Sequence, residues 1–169
     1  MGTHALDTNG TIAKGLANPE EICTRKRDAL TKKDCFLEGN EKMFSHVMIG
    51  TNDLEKAKAF YDNLLGTLGV PPGVVDRHRI FYRTKTGTFS VSKPIDGKPA
   101  TPANGGTIGF AATSPEEANA WHASGIANGG TTCEEPPGIR GMGDVRMYIA
   151  YLRDPDGNKI CALHRLPKA

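Results

Sequence analysis

The sequence predicts an α+β domain made of two similar halves, and three observations support this prediction. The chain matches itself weakly at an offset of 61 residues, which aligns His46 with Thr107 and Phe60 with Trp121. Each half starts with an alternating strand, continues into a capped helix and ends in further strands. A turn signature at 154–158 separates the last two predicted strands.

The first half contains a strand, a helix and then two strands. Residues 44–50 alternate between apolar and polar side chains, and Asn52 or Asp53 caps a helix whose apolar residues recur at helical spacing. Strands are then predicted at 79–84 and 88–93.

The second half repeats this order. Residues 106–112 form the predicted strand, Ser114 caps the helix and Pro115 suits its first turn. The predicted buried stripe of this helix consists of Ala118, Trp121, His122 and Ile126. Strands at 146–153 and 158–164 complete the half.

Proline, glycine and asparagine mark two loops. Residues 94–105 read as a crossover between the halves, and residues 135–143, with two prolines and three glycines, as a second surface loop. Residues 1–42 lie outside the repeat and are predicted to be an appendage with one short helix, which leaves 43–169 as the domain.

Composition excludes several classes of protein. The 169 residues carry a net charge of +2, and their basic clusters are interspersed with acids, so no nucleic-acid partner is predicted. No export signal or membrane-spanning stretch is recognisable, so we expect no membrane partner and a cytoplasmic location. Four cysteines without a CxxC pair indicate free thiols.

The acidic turn at 154–158 invites comparison with a calcium-binding loop. Such a loop needs a bidentate glutamate at its twelfth position, where this chain has Arg165. We therefore interpret the segment as a plain turn between strands.

Several short motifs resemble the vicinal oxygen chelate superfamily, which includes glyoxalase I, extradiol dioxygenases and bleomycin-resistance proteins. They are Phe44-Ser45-His46-Val47, Asn52-Asp53-Leu54-Glu55-Lys56-Ala57, Phe60-Tyr61 before Leu65-Gly66, and Asp154-Pro155-Asp156-Gly157-Asn158-Lys159-Ile160. The resemblance implies two βαβββ modules, at about 43–94 and 105–167, whose mixed sheets curl into a cup with the helices outside. It also implies a homodimer.

In metal-dependent members of this superfamily, the ligands come from the first and fourth strands of each module and are typically His or Glu. The corresponding positions here are His46, a position near Ser90, Thr107 and Cys161. Only His46 is a usual ligand, and a catalytic cation usually needs about three protein ligands. No cofactor is therefore predicted; if a divalent metal binds, His46 and Cys161 are its expected ligands.

Two residues are candidates for catalysis. His46 could be a general base, a ligand or a polar group lining the pocket. Cys161 could be a nucleophile, but no activating base is recognisable, and a small apolar filler is the preferred interpretation.

The remaining candidates for ligand binding are Ser90 and Thr107, together with several arginines and tyrosines. Arg77, Arg79, Arg140 and Arg146 could bind a carboxylate or phosphate, although ordinary surface charges are the preferred interpretation. Tyr82 and Tyr148 would add flat walls if their strands face the cup.

The sequence therefore favours a protein that binds a small neutral or anionic organic molecule, with a degraded metal site. A divergent lyase or isomerase, metal-dependent or using His46 as acid or base, is the alternative. Sequestration of a cationic drug is disfavoured, because it needs an acidic groove and this chain is slightly basic.

Overall fold

The computed structural model describes residues 44–168, which contain two helices and nine strands. The predicted appendage at 1–42 lies outside these residues, as do Cys23 and Cys35. No helix in the described range is long and apolar enough to cross a membrane.

The first module forms a four-stranded mixed sheet with one helix. Its elements are β1 (His46–Gly50), α1 (Leu54–Gly66), β2 (Val74–Asp76), β3 (Arg79–Arg83) and β4 (Thr88–Ser92). The strand order is β1-β4-β3-β2, in which β1 runs parallel to β4 and the other pairs are antiparallel.

The second module repeats this plan with five strands. Its elements are β5 (Ile108–Ala111), α2 (Pro115–Ala127), β6 (Thr131–Thr132), β7 (Gly138–Met142), β8 (Val145–Arg153) and β9 (Lys159–Arg165). Strands β6 and β7 pair with different parts of β8, so together they occupy one strand position. The predicted α+β fold of two βαβββ modules is confirmed.

Both predicted helix starts are confirmed. The Asp53 carboxylate accepts the backbone N–H groups of Glu55 and Lys56, and the Ser114 hydroxyl accepts that of Glu117. These side chains satisfy backbone donors that have no partner within the helix, which fixes where each helix begins.

The prediction that residues 135–143 form a loop is wrong, because β7 lies within this segment. Its glycines give little local strand signal, and β7 is instead held by pairing along β8. Gly141 is required there: its φ is +100°, and a Cβ atom would lie 2.0 Å from the Val145 carbonyl oxygen.

The buried stripe of α2 also differs from the prediction. Ala118 and Trp121 are buried as expected, but Ile126 is exposed and Gly125 is buried in its place. A Cβ atom on Gly125 would lie 2.3 Å from Cδ2 of Leu152, so the absence of a side chain lets α2 approach β8 closely.

One hydrophobic core joins the two modules. It receives Tyr61 from α1, Tyr82 from β3, Trp121 from α2 and Leu152 from β8. Aromatic contacts continue across the boundary between modules, where the ring centroids of Phe89 and Phe110 are 5.2 Å apart. Each sheet therefore turns its helix side toward the shared core and leaves its other side open.

Candidate functional site

The open side of the four-stranded sheet is called here the first open face. Strand alternation directs Ile49, Ile80 and Phe89 to the core and their neighbours to this face. The cross-strand registers bring together His46 with Thr88, Met48 with Ser90, Phe81 with Ser90, and Arg79 with Ser92. The predicted residues His46, Ser90 and Arg79 therefore share one surface.

The open side of the other sheet is the second open face. Cys161 lies between Gly109 on β5 and Tyr151 on β8. Gly109 leaves room for the thiol, since a Cβ atom there would lie 3.4 Å from the Cys161 sulfur. Thr107 immediately precedes β5, so it lies at the border of this face.

A single chain does not unite His46 and Cys161 in one cavity. The first and second open faces belong to different sheets, and both point away from the core that the helix sides share. Any site that uses both residues needs a second copy of the chain.

The first open face offers a metal ion one imidazole and several hydroxyl groups. Nδ1 of His46 lies 2.9 Å from the Ser45 hydroxyl, and the Ser90 hydroxyl donates to the Val47 carbonyl at 3.2 Å. Within residues 44–168, no three His, Cys, Asp or Glu side chains are grouped closely enough to hold an ion. A neutral hydroxyl group is a weaker ligand for a hard divalent cation than the carboxylates that such a cation prefers.

Cys161 is a poor nucleophile and a poor ligand in this setting. Burial raises the pKa of its thiol to about 11, although nearby Lys159 acts in the opposite direction. The thiolate is the reactive and metal-binding form, and a pKa near 11 leaves it scarce at neutral pH.

Two arginines give the first open face a positive character. The Arg83 guanidinium carbon lies 4.6 Å from the centroid of the Phe81 ring. The Nε atom of Arg79 is buried and has no hydrogen-bond partner. Asp76 is opposite Arg79 in the strand register, yet among the described residues neither arginine has a carboxylate within ion-pair distance. An aromatic floor beside two uncompensated cations suits a flat anion.

Tyr82 and Tyr148 lie on the helix sides of their sheets rather than on the open faces. The Tyr82 hydroxyl donates to Asp62 at 3.0 Å, and burial followed by that hydrogen bond raises the pKa of Tyr82 strongly. The Tyr148 hydroxyl donates to Asn119 of α2 at 2.9 Å. Both tyrosines tie a sheet to a helix.

The remaining predicted arginines are also separate from His46. Arg77 is exposed in the turn between β2 and β3, with a φ of +54°. Arg146 lies near the start of β8 and alternates with Met147, so it is on the helix side. Arg140 is opposite Met147 and donates to the Pro136 carbonyl at 2.8 Å.

Sequence reasoning missed Phe81 and Arg83, although a simple signal could have found them. They alternate with Arg79 along β3, and residues two apart on a strand share a face. Because Arg79 was already a candidate, this two-residue period would have placed Phe81 and Arg83 beside it on the first open face.

The turn at 154–158 proves to be a plain turn with a second role, which we call the latch. Asp156 accepts hydrogen bonds from the Thr51 hydroxyl at 2.5 Å and the Asn52 backbone at 2.9 Å. Buried Asp154 accepts the Tyr61 hydroxyl at 2.7 Å, and burial together with this carboxylate raises the pKa of Tyr61. The acidic pair therefore fastens the second module to the first.

The family model described as Glyoxalase/Bleomycin resistance protein/Dioxygenase superfamily matches residues 43–162. The chain is 66% identical to a glyoxalase/bleomycin resistance protein from Albidiferax ferrireducens T118, with 73% of this chain and 100% of that chain covered and a TM-score of 0.72.

More distant structures share the fold alone. A glyoxalase-related enzyme from Fulvimarina pelagi is 18% identical, with 72% of this chain and 86% of that chain covered and a TM-score of 0.54. A glyoxalase/bleomycin resistance protein/dioxygenase family enzyme from Burkholderia phytofirmans PsJN is also 18% identical, with 72% of this chain and 98% of that chain covered and a TM-score of 0.56. None of the curated proteins matches the chain.

Proposed function

Because the chain belongs to the Glyoxalase/Bleomycin resistance protein/Dioxygenase superfamily, we propose that it binds a small neutral or anionic organic molecule on the first open face, without the metal ion used by other members. The observation that carries this proposal is the grouping of His46, hydroxyl groups and an arginine-flanked aromatic ring on one face.

The proposed ligand is an aromatic or unsaturated carboxylate. Its ring would pack on Phe81 and Met48, and its carboxylate would accept hydrogen bonds from the guanidinium group of Arg79, which has no ion-pair partner among the described residues. Bidentate guanidinium-carboxylate pairs are stronger and more directional than neutral hydrogen bonds, which favours an anion over a neutral ligand.

Benzoate and the benzamidinium cation are matched probes, since they share size and shape and differ in charge. Calorimetry on the full chain is expected to give saturable binding of benzoate only, unchanged by a chelator. Arg79→Gln is expected to weaken benzoate binding at least tenfold, about 1.4 kcal/mol. Lys85→Gln, which removes the same charge from an exposed turn, is the control and should leave the affinity unchanged.

Two outcomes contradict the proposal. One is tighter binding of benzamidinium than of benzoate. The other is stoichiometric metal in the purified protein that is lost in His46→Ala, since that would establish the metal site which the donor chemistry disfavours.

We propose a homodimer as the assembly, because the first open face carries apolar side chains that a second copy would cover. Met48 is 42% exposed and Val74 is 59% exposed on this face. Val74→Glu is expected to shift the protein to monomers in sedimentation experiments, whereas Ile95→Glu, on the crossover loop, should not. A monomeric wild-type protein at micromolar concentration would refute the dimer.

The alternative function is a divergent lyase or isomerase in which His46 acts as acid or base. It is favoured by the exposure of His46 in the same cross-strand row as Thr88 and Arg83, since an anionic ligand group held by Arg83 would lie near the imidazole, which could then transfer a proton to or from the ligand. Under this alternative, His46→Gln would abolish turnover and retain ligand binding. Under the binding function, no turnover exists for His46→Gln to remove.

A further inference from the structure

A cavity of about 440 Å³ lies between the crossover loop and the second sheet, away from the first open face. Its lining residues are Pro102, Ala103, Asn104, Gly105, Gly106, Thr107, Arg153 and Lys159. The volume falls in the range of sites that hold small organic molecules.

One wall of the cavity carries two positive charges and no negative charge. Arg153 and Lys159 are directly opposite each other in the β8–β9 register. One guanidinium nitrogen of Arg153, Nη1, donates to the Gly157 carbonyl at 2.7 Å, which orients the side chain and leaves its other donors available. Lys159 forms an ion pair with Glu134, which is not a lining residue.

The other wall is a short turn of small residues. The Gly106 N–H donates to the Ala103 carbonyl at 3.3 Å, and Gly105 has a φ of +82°, as the third residue of such a turn often requires. Pro102 packs against the latch, since a Cβ atom on Gly157 would lie 3.4 Å from Cγ of Pro102. The small side chains leave the backbone within reach of a ligand.

We propose that this cavity binds the phosphate group of a small phosphate monoester. Arg153 and Lys159 would neutralise the dianion, and the Thr107 hydroxyl would donate a further hydrogen bond. Two adjacent cations match a dianionic phosphate better than a singly charged carboxylate, because each added charge strengthens the attraction. The remaining volume accommodates the organic part of the ligand.

A substitution of Glu134 is expected to change phosphate binding in the opposite direction to a substitution of Lys159. Its carboxylate competes with a bound phosphate for Lys159. Removal of the lysine charge should weaken phosphate binding, and removal of the glutamate charge should strengthen it.

Calorimetry on the full chain, at constant ionic strength, tests these expectations with inorganic phosphate, glycerol 3-phosphate, acetate and glycerol. Glycerol 3-phosphate should bind tightest, inorganic phosphate more weakly, and acetate and glycerol not measurably. Lys159→Gln should weaken glycerol 3-phosphate binding at least tenfold, and Glu134→Gln should tighten it. Lys98→Gln, an exposed lysine in the crossover loop, is the matched control and should change nothing.

Arg153→Gln should also weaken phosphate binding. Lys159→Gln is the more decisive variant, because Arg153 also supports the latch through its hydrogen bond to Gly157. The proposal is overturned by any of three results: no saturable binding of either phosphate compound, equal binding of acetate, or affinities that are the same in the wild type, Lys159→Gln and Glu134→Gln. Arg79→Gln should leave phosphate binding intact, which separates this site from the benzoate site.

Discussion

At the scale of single residues, the reactivity of Cys161 depends more on its buried environment than on its being a cysteine. The side chain is almost fully buried on the second open face, and burial raises the pKa of its thiol to about 11. The folded state therefore favours the protonated form. The resulting contribution to stability is complete below the pKa of the unfolded thiol, about 8.5, and is lost as the pH rises toward 11.

This burial predicts slow alkylation of Cys161. In a variant with Cys23, Cys35 and Cys133 changed to serine, the iodoacetamide rate at pH 7 should be far below that of an exposed thiol and should rise about tenfold per pH unit from pH 8 to 10. A urea-unfolded sample is the control and should react quickly at pH 8. Fast reaction of the folded variant at pH 7 would contradict the raised pKa.

At the scale of elements, α2 packs closely on β8 and α1 because Gly125 has no side chain. A Cβ atom there would lie 2.3 Å from Leu152 and 3.1 Å from Leu64. Alanine is normally preferred in a helix by about 1 kcal/mol, so steric overlap and helix propensity act in opposite directions at this position.

We expect overlap to dominate in Gly125→Ala, which should lower the free energy of unfolding by about 1–2 kcal/mol. Gly66→Ala is the matched control: this residue ends α1, is exposed and has no atom within 4 Å of a new Cβ atom. It should be neutral or stabilising by up to about 0.5 kcal/mol. Urea denaturation measures both, and equal effects would argue against the close packing of α2.

At the scale of the whole molecule, the latch joins parts of the chain that are about a hundred residues apart. Asp156 of the second module accepts three hydrogen bonds from Thr51 and Asn52 of the first. Asn158 adds a bond to the Gly50 carbonyl at 3.1 Å. These contacts hold the two modules in one arrangement.

Asp156→Ala is therefore expected to destabilise the domain by about 2 kcal/mol, since it leaves polar groups of Thr51 and Asn52 without partners. Asp96→Ala, in the exposed crossover loop, removes the same side chain and should change stability by less than about 0.5 kcal/mol. Thermal unfolding compares the two variants, and similar melting temperatures would refute the role of the latch.

Much of the fold was predictable because its signals are local. The caps at Asp53 and Ser114 act through neighbouring backbone groups, so the sequence specifies them directly. Strand β7 was missed because pairing with β8 holds it, and partner strands leave no local pattern in a glycine-rich segment.

The candidate site was predictable only in part. The repeat located His46 and Cys161 on strands, but it did not indicate that their faces point away from a common core. Similarly, Tyr82 and Tyr148 were correctly placed on strands, and only the strand register revealed that both face a helix. The contacts of the latch could not be predicted from the sequence, because the residues that form them are far apart in the chain.

The sequence by itself determined the order of elements, the two modules, the helix starts and the chemical nature of the donors at each position. These depend on periodicity, capping and side-chain identity, which are properties of short segments. Tertiary structure decided which side chains share a surface, how deeply Cys161 is buried and which charges lie beside the cavity. Those properties arise from contacts between distant segments, whose geometry is fixed only when the two sheets pack around one core.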